Sequence, residues 1–464
     1  MNFRRILGIL HATERPTGAS RLTVARKTRA SLTRAQRALA WTATLLVGLL
    51  AAAPRSGAQD TSAKTRADSM AERMEALERS VKLLREQLQA QAASGVQSKS
   101  RSPIEFSGRI LLSSFINSGR SNNLDVPTVA VASVSPGQDR SAGATMRQTI
   151  LALSAQGAKL WGADASGFIE ADFFGGLQQG AGGRRLFPEP RLRIARAMLT
   201  WPGAELMVGQ DVPLLAPIEP VGIAQLGSPS FAVAGNLWFW LPQVRATFNL
   251  GESGPVRWAL QAAVVAPWSG GDVVPGDVDV ADIGERQRAP MLQARLRARW
   301  GEDDLRGEIG FAGHLGWLGT AADTSLMSSA IALSWQVPMA SWVELRGEAY
   351  VGQMLRGLGG GGAGQNFGAS ASGAPIPLHD TGGWLQLNLK PDASWTLGVG
   401  AGSSQPDVAD RPVRSRNDAF ETHAIWRPGG LPIIGLEFRE IQTTYRATGL
   451  ARTRQVNLTL GVEF

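Results

Sequence analysis

Arginine occupies three successive polar positions in a segment that otherwise alternates apolar and polar side chains. In the segment LQARLRARW, residues 292–300, Arg295, Arg297 and Arg299 share one face and the opposite face is apolar. A period of two is typical of a β-strand with two different faces. A water-soluble sandwich would not place three successive arginines toward its core, whereas a membrane barrel puts lipid against the apolar face and water against the other.

The same two-faced pattern continues from residue 104 to the end of the chain. It is clearest in IEFSGRILLSSFI (104–116), VRWALQAAVV (256–265) and WVELRGEAYV (342–351). We find no helical period in this region, and no apolar run in it is long enough for a membrane-spanning helix. The sequence therefore predicts an all-β chain, a transmembrane antiparallel up-and-down β-barrel over residues 104–464.

The predicted connections alternate between short turns and long loops. Seven short turns and eight long loops connect sixteen strands, with the last four long loops at 315–325, 355–381, 403–419 and 442–453. Strand boundaries predicted from sequence shift by several residues, so fourteen and eighteen strands are alternatives. Short turns of such barrels face the periplasm. Trp201, Trp300 and Trp395 fall beside short turns, where an interfacial aromatic girdle is expected.

The first 58 residues carry the whole positive excess of a chain whose net charge is +8. They contain 10 basic residues and one acid, which leaves 37 basic and 38 acidic residues elsewhere, so the charge predicts no nucleic-acid partner. An apolar run at 38–53 follows Arg37 and precedes Ser56-Gly57-Ala58, a candidate cleavage site. This pattern predicts a secretory signal peptide over 1–58, with a basic start that is longer than usual. A retained inner-membrane anchor is the alternative.

Residues 59–92 change to a heptad pattern. Met70, Leu77 and Leu84 fall at one core position, and Met74, Val81 and Leu88 fall at the other. This pattern predicts a periplasmic coiled-coil neck of about four heptads. A single amphipathic helix on another surface is the alternative. The small and polar residues 93–103 form the predicted linker to the barrel.

The chain ends on an apolar strand, RQVNLTLGVEF, whose last residue is Phe464. An open apolar edge of this kind promotes aggregation in a soluble protein. Pairing with the first strand at 104–112 would close the barrel and remove both edges. Phe464 resembles the terminal aromatic residue that the barrel-assembly machinery of outer membranes reads, and this resemblance implies that it is an assembly signal.

Four segments occur in an order that resembles the DcaP-like trimeric outer-membrane porins. They are EFSGRI, GFIEADFFGG, the hairpin RLRIARAMLTW…ELMVGQ, and FWLPQVRATF. The resemblance covers residues 70–464, and it departs from the family pattern at 194–197 and 241–247, which keep part of the usual motifs. It implies a homotrimer, a pore lined by extracellular loops, and a preference for small anionic organic solutes.

Alternation assigns both signs of charge to the predicted lumen. The inward basic residues are Arg109, Arg245, Arg257, Arg295, Arg297, Arg299, Arg306, Arg346 and Arg439. The inward acids are Glu105, Glu170, Asp172, Glu308, Glu344, Glu348 and Glu437. Arg245, Arg257 and the three arginines of 292–300 form one predicted basic wall, which favours anions because charge on the wall sets the selectivity of a wet pore. Alternatively, these arginines pair with acids and solvate the wall.

The third long loop, residues 212–236, is the predicted constriction because it is long, proline-rich and unusually apolar. Packing across a trimer interface is the alternative.

The glycine-rich segment 357–365 lacks the lysine of a phosphate loop and is expected in a surface loop. The four histidines form no metal motif, so we expect no metal, no cofactor and no enzymatic activity.

The sequence as a whole predicts a bacterial outer-membrane protein that passes small hydrophilic solutes by passive diffusion, with a modest preference for small anions such as carboxylates. Its expected partners are outer-membrane lipid, two further copies of the chain, the barrel-assembly machinery and the solutes. The alternative is a structural or adhesive protein with a periplasmic trimeric tether.

Overall fold

Sixteen antiparallel strands form a closed barrel. The computed structural model describes residues 96–97, 103–135, 137, 139–175, 183–271, 281–319 and 324–464. Each strand pairs with its neighbours in sequence, and the last strand pairs with the first. This arrangement confirms the predicted antiparallel up-and-down β-barrel of sixteen strands. The predicted signal peptide and coiled-coil neck lie outside the described residues.

The strands vary between eight and sixteen residues in length. The first eight are β1 Pro103–Asn117, β2 Ile150–Leu160, β3 Ala163–Gly175, β4 Glu189–Thr200, β5 Ala204–Asp211, β6 Leu241–Ser253, β7 Val256–Val265 and β8 Met291–Trp300. The second eight are β9 Gly307–Gly319, β10 Ser325–Ala340, β11 Val343–Gln353, β12 His379–Leu389, β13 Trp395–Pro406, β14 Arg414–Trp426, β15 Pro432–Tyr445 and β16 Gly449–Glu463.

Short elements accompany the barrel strands. Ser141–Thr145 pairs with the end of β1 above β2, Val96–Gln97 pairs with its beginning, and Phe367–Ala369 pairs with Pro375–Pro377 in a separate hairpin. Two single helical turns, Gly183–Leu186 and Gly361–Gly364, lie in loops. Within the described ranges, no helix is long and apolar enough to cross a membrane.

An apolar belt covers the outer side of the barrel. Outward side chains such as Leu260, Leu296 and Phe420 are more than 40% exposed, and their neighbours along each strand are buried on the inner side. Exposed apolar side chains on the outer side, with buried neighbours on the inner side, are typical of a surface that faces lipid. Trp300 ends β8, Trp201 follows β4, and Trp395 stacks on Trp426 with ring centroids 5.8 Å apart, all beside short turns. The predicted tryptophan positions are confirmed.

The connections differ in length from the prediction at three places. The strands leave 320–324, 407–413 and 446–448 between them where 315–325, 403–419 and 442–453 were predicted, so the final connection has three residues. The strands that flank these connections continue past the last apolar outward residue, where the prediction ended them. Their outward side chains beyond the apolar belt are polar, and the backbone pairing continues there. The expectation of a long last loop is therefore wrong, whereas seven short turns at the opposite end agree with the sequence.

The chain terminus closes the barrel. Phe464 and Gly108 exchange two backbone hydrogen bonds of 2.9 Å each, directly beyond the ladder between β16 and β1. The ring of Phe464 packs on Phe106 with centroids 5.4 Å apart. A side chain at Gly108, whose φ is +159°, would overlap the carbonyl of Ile150. The seam is therefore built from backbone pairing and one aromatic contact.

Deleting Phe464 will lower the yield of folded barrel. The deletion removes two hydrogen bonds and an aromatic pair, together worth roughly 2–4 kcal/mol. The measurement is the heat-modifiable fraction on gels after refolding into detergent, with Phe464→Tyr as the control that keeps the ring. Equal folded fractions for the deletion and the wild type would contradict the assigned role, and the conductance of barrels that do fold should remain normal.

Candidate functional site

The third loop, residues 212–240, crosses the lumen. Its first arm contacts the inner side of one strand after another around the barrel: the amide of Leu215 donates to Gln293 Oε1 at 3.2 Å, and the amide of Val221 donates to Gln386 Oε1 at 2.7 Å. Leu214, Leu215 and Ile223 are fully buried. The loop therefore narrows the lumen, as predicted for a constriction.

Two side chains of the wall hold the middle of this loop. Glu437 on β15 accepts hydrogen bonds from the amides of Ile223 and Ala224, at 2.5 and 3.0 Å. Gln148 donates to the carbonyl of Ala224 at 2.7 Å and accepts from the amides of Leu226 and Gly227. Glu437 and Gln148 are both buried, so these bonds are shielded from water.

The return arm of the loop packs on the opposite wall. Phe231 stacks on Trp384 of β12 with centroids 5.7 Å apart, and Asn417 donates to the carbonyl of Val233 at 3.1 Å. Ser230 Oγ accepts from Arg439 at 2.8 Å. Both arms are thus fixed along their length.

The glycine-rich segment lies inside the barrel, contrary to the surface position expected from the sequence. Gly357, Gly361 and Ala363 are buried, and the amide of Gly362 donates to Asp380 Oδ2 at 2.6 Å. Gly359 has a φ of +123°, and a Cβ there would overlap the backbone of Trp238 in the third loop. The segment needs glycine because it packs directly on the constriction.

At the predicted basic wall, two carboxylates each bind two arginines. Glu308 binds both Arg295, at 2.7 Å, and Arg299. Asp211, at the end of β5, binds both Arg196, at 2.7 Å, and Arg245. Each carboxylate neutralises one of its two arginines, so each group keeps one positive charge.

Two further arginines of this wall stand without a carboxylate. Within the described ranges, neither Arg257 nor Arg297 has an acid within 4 Å, and Arg257 donates to the carbonyl of Gly301 at 3.4 Å. Both lie toward the short-turn end of β7 and β8, where Arg257 pairs across the ladder with Arg299. This half of the wall is therefore strongly basic.

Glu170 and Asp172 face arginines that sequence alternation did not assign inward. Glu170 lies 3.2 Å from Arg193, and Asp172 lies 2.6 Å from Arg191. Strict alternation cannot place Arg193 and Arg196 on one face, because they are three residues apart. A register shift between β3 and β4 at Glu170 and Ala171 removes the conflict. The clustered arginines of RLRIAR were the available signal.

A stack of alternating guanidinium and aromatic groups joins this wall to the loop. Arg147 and Arg191 lie on Phe174, at 4.2 and 5.3 Å from the ring centroid. Arg191 and Arg193 lie on Trp240, at 5.2 and 4.5 Å. Arg191 also donates to the carbonyl of Gly227 at 2.6 Å. One arginine therefore holds the middle and the end of the constriction loop to β4.

Most of the other predicted lumen residues lie under the loops. Arg346 binds Glu344 at 2.5 Å and donates to the carbonyl of Glu219 at 2.9 Å. Glu348 accepts from Trp384 at 3.2 Å and is 1% exposed, and Arg439 is 4% exposed. They brace the loop instead of presenting free charge.

Three predicted positions lie near the short-turn end of the barrel. Arg109 is partly exposed, 3.8 Å from Glu463, and Glu105 is exposed at the start of β1. Arg306 ends the turn before β9 and is exposed there, so its predicted inward position in a strand is wrong. The turn breaks the alternation that had assigned it.

Glu219, at the edge of the loop, was missed by the sequence reasoning. Desolvation raises the pKa of its carboxyl group, and the nearby charge of Arg193 opposes that shift. The residues around it, Pro217, Pro220 and Val221, are half-buried. This edge of the loop therefore lies close to the arginines of β4. A lone glutamate in a proline-rich loop gives no sequence signal for such a position.

The three described histidines contact different partners: His379 contacts Asp410 at 2.8 Å, and His423 contacts Glu421 at 2.9 Å. His314 contacts Ser328 at 3.1 Å, but its other nitrogen faces Gln293, and the Ser328 hydroxyl donates to the carbonyl of Met354. No carboxylate completes a triad there. Within the described ranges, no group of three histidine, aspartate or glutamate side chains is arranged to hold a metal ion.

The chain was compared with known proteins. No protein-family model matches the sequence, and no curated protein matches it. Among solved structures, it is similar to the outer membrane channel DcaP of Acinetobacter baumannii, with a TM-score of 0.64, 17% identity, and coverage of 80% of this chain and 99% of that one. It also matches an anion-selective porin from Comamonas acidovorans with a TM-score of 0.48, 10% identity, and coverage of 78% and 100%.

The similarity to DcaP shows the fold. The closed sixteen-stranded barrel is that of an outer-membrane channel, as the resemblance of the sequence to the DcaP-like porins predicts. With its apolar outer belt and tryptophan positions, this fold is consistent with the bacterial outer membrane.

Proposed function

We propose that the protein is an outer-membrane porin that passes small hydrophilic solutes by passive diffusion and prefers small anions such as carboxylates. The observation that carries the proposal is the excess of arginine beside the constriction. Two carboxylates, Glu308 and Asp211, each serve two arginines, and Arg257 and Arg297 have no carboxylate. In a wet pore, such a surplus attracts anions and repels cations.

Arginine suits carboxylate solutes for a second reason. Its planar guanidinium stays charged and grips a carboxylate with two parallel hydrogen bonds. Because Arg257 and Arg299 are neighbours across the ladder and Arg297 lies next to them on the same face of β8, an anion that leaves one of them meets the next. Weak, repeated binding of this kind allows passage without trapping.

The proposed porin is a homotrimer with a periplasmic neck, inserted by the barrel-assembly machinery and serving no enzymatic role. The heptads of residues 59–92 and the sequence resemblance support the trimer.

Planar-bilayer recordings test the function. Purified full-length protein should give stepwise ionic currents, and the reversal potential in a KCl gradient should indicate anion preference. Liposome swelling should be faster with small dicarboxylates than with neutral sugars of equal size. A barrel that inserts but carries no current would contradict the channel and favour an adhesive or tethering role. A reversal potential of cationic sign would contradict the anion preference alone.

A further inference from the structure

A charged patch lies on the outer side of the barrel, above the apolar belt. We call Arg416, Asp418, Glu440, Arg452 and Arg454 the outer charged patch. They occupy outward positions at the loop end of β14, β15 and β16, and Asp418, Glu440 and Arg454 lie two residues beyond the outward side chains of Phe420, Phe438 and Val456. The patch therefore begins where the belt ends.

The three arginines of the patch are oriented in the same way. Each is bound to a carboxylate through its inner nitrogen Nε: Arg416 to Asp418 at 2.6 Å, Arg454 to Glu440 at 2.5 Å, and Arg452 to Glu440 at 3.4 Å. Within the described ranges, the terminal nitrogens of all three have no hydrogen-bond partner. The side chains are 52, 53 and 46% exposed, respectively.

The acids of the patch are fully engaged. Asp418 also accepts from Ser403 at 2.7 Å, and Glu440 also accepts from Gln442 at 2.6 Å. Two carboxylates therefore orient three guanidinium groups and leave a positive surplus. The ladder places Asp418 beside Gln442 and Gln442 beside Arg452, so the groups form one continuous surface across three strands.

We propose that the outer charged patch binds the phosphate-bearing headgroup of an outer-leaflet lipid. Guanidinium terminal nitrogens match phosphate oxygens in pairs, and this patch presents three such edges. The exposed rings and aliphatic side chains of the belt lie directly below it, where the acyl chains of the same lipid would pack. Continuity of basic and apolar surface favours an amphiphile over free phosphate.

The test compares lipid binding by the full-length protein and two triple variants. Native mass spectrometry in detergent would measure retention of bisphosphorylated lipid A, of dephosphorylated lipid A, and of inorganic phosphate. The patch variant is R416Q/R452Q/R454Q. The matched control is R286Q/R288Q/R411Q, which removes three exposed arginines of the same end of the barrel that lie in loops outside the patch.

The wild type and the control should retain bisphosphorylated lipid A. The patch variant should lose about a hundredfold in affinity, because each of the three arginines contributes about a factor of five. Equal retention by the patch variant, or equal retention of dephosphorylated lipid, would overturn the proposal. Retention of inorganic phosphate alone would indicate an ion site. A change in oligomeric state without lipid would indicate a protein contact instead. All variants should keep wild-type conductance, so this test is independent of the porin function.

Discussion

The double variant R257E/R297E should lose most of the anion preference of the channel. Both arginines face the lumen without a carboxylate, so the change converts two uncompensated positive charges into negative ones. A charge about 8 Å from a passing ion contributes about 0.5 kcal/mol in water, reduced to about 0.2 kcal/mol by physiological salt. Each substitution changes the charge by two units, so the double variant changes it by four. Because this change acts oppositely on anions and cations, the ratio of anion to cation permeability changes about tenfold.

Reversal potentials in a KCl gradient measure this ratio. The control K159E/R306E makes the same charge change at exposed positions beside two turns of the same end of the barrel. It should shift the ratio by less than about twofold, because exposed charges beyond a Debye length are screened. If both double variants shift the ratio equally, the surplus on β7 and β8 does not set the selectivity.

Replacing Glu437 by alanine should widen the channel and make its current noisier. The change removes the acceptor for two buried amides of the constriction loop, those of Ile223 and Ala224. An unsatisfied buried N–H costs about 1–3 kcal/mol, so this part of the loop loses at least about 2 kcal/mol of attachment to β15. We expect single-channel conductance to rise by roughly a factor of two, because the loop crosses the lumen and narrows it.

The variant Glu437→Gln keeps an acceptor oxygen and should change conductance much less. Glu205→Ala is the matched control, since Glu205 is also an inward acid but makes no hydrogen bond to the loop in the described part of the chain. Because barrel stability could itself alter insertion, the folded fraction is measured first by heat modifiability. Wild-type conductance and noise in folded Glu437→Ala would show that the loop does not depend on this carboxylate.

Strand number and side-chain direction followed from the sequence because they depend on local alternation. The faces of β7 and β8 and the tryptophan positions could be assigned this way. The inward arginines of β4 could not, since the register shift opposite Glu170 changes the face of every residue beyond it. Such a shift depends on pairing with β3, which a one-strand pattern does not contain.

The contents of the lumen were harder to predict than its wall. The proline-rich composition of 212–236 pointed to a packed loop, yet the glycine-rich segment 357–365 has the composition of a solvent-exposed one. Its glycines instead allow close contact with Trp238 and a tight hydrogen bond to Asp380. Free and paired arginines also look alike in sequence, because their carboxylates, such as Asp211, come from distant strands.

The contacts of the third loop impose an order on assembly. Ile223 is held by Glu437, and Gln225 by Gln455, residues that follow them by 214 and 230 positions in the chain. A barrel that still lacks β15 and β16 has no partners for the middle of the loop. The middle of the loop can therefore reach its native contacts only when these two strands are in place, at the same stage as the seam between β16 and β1.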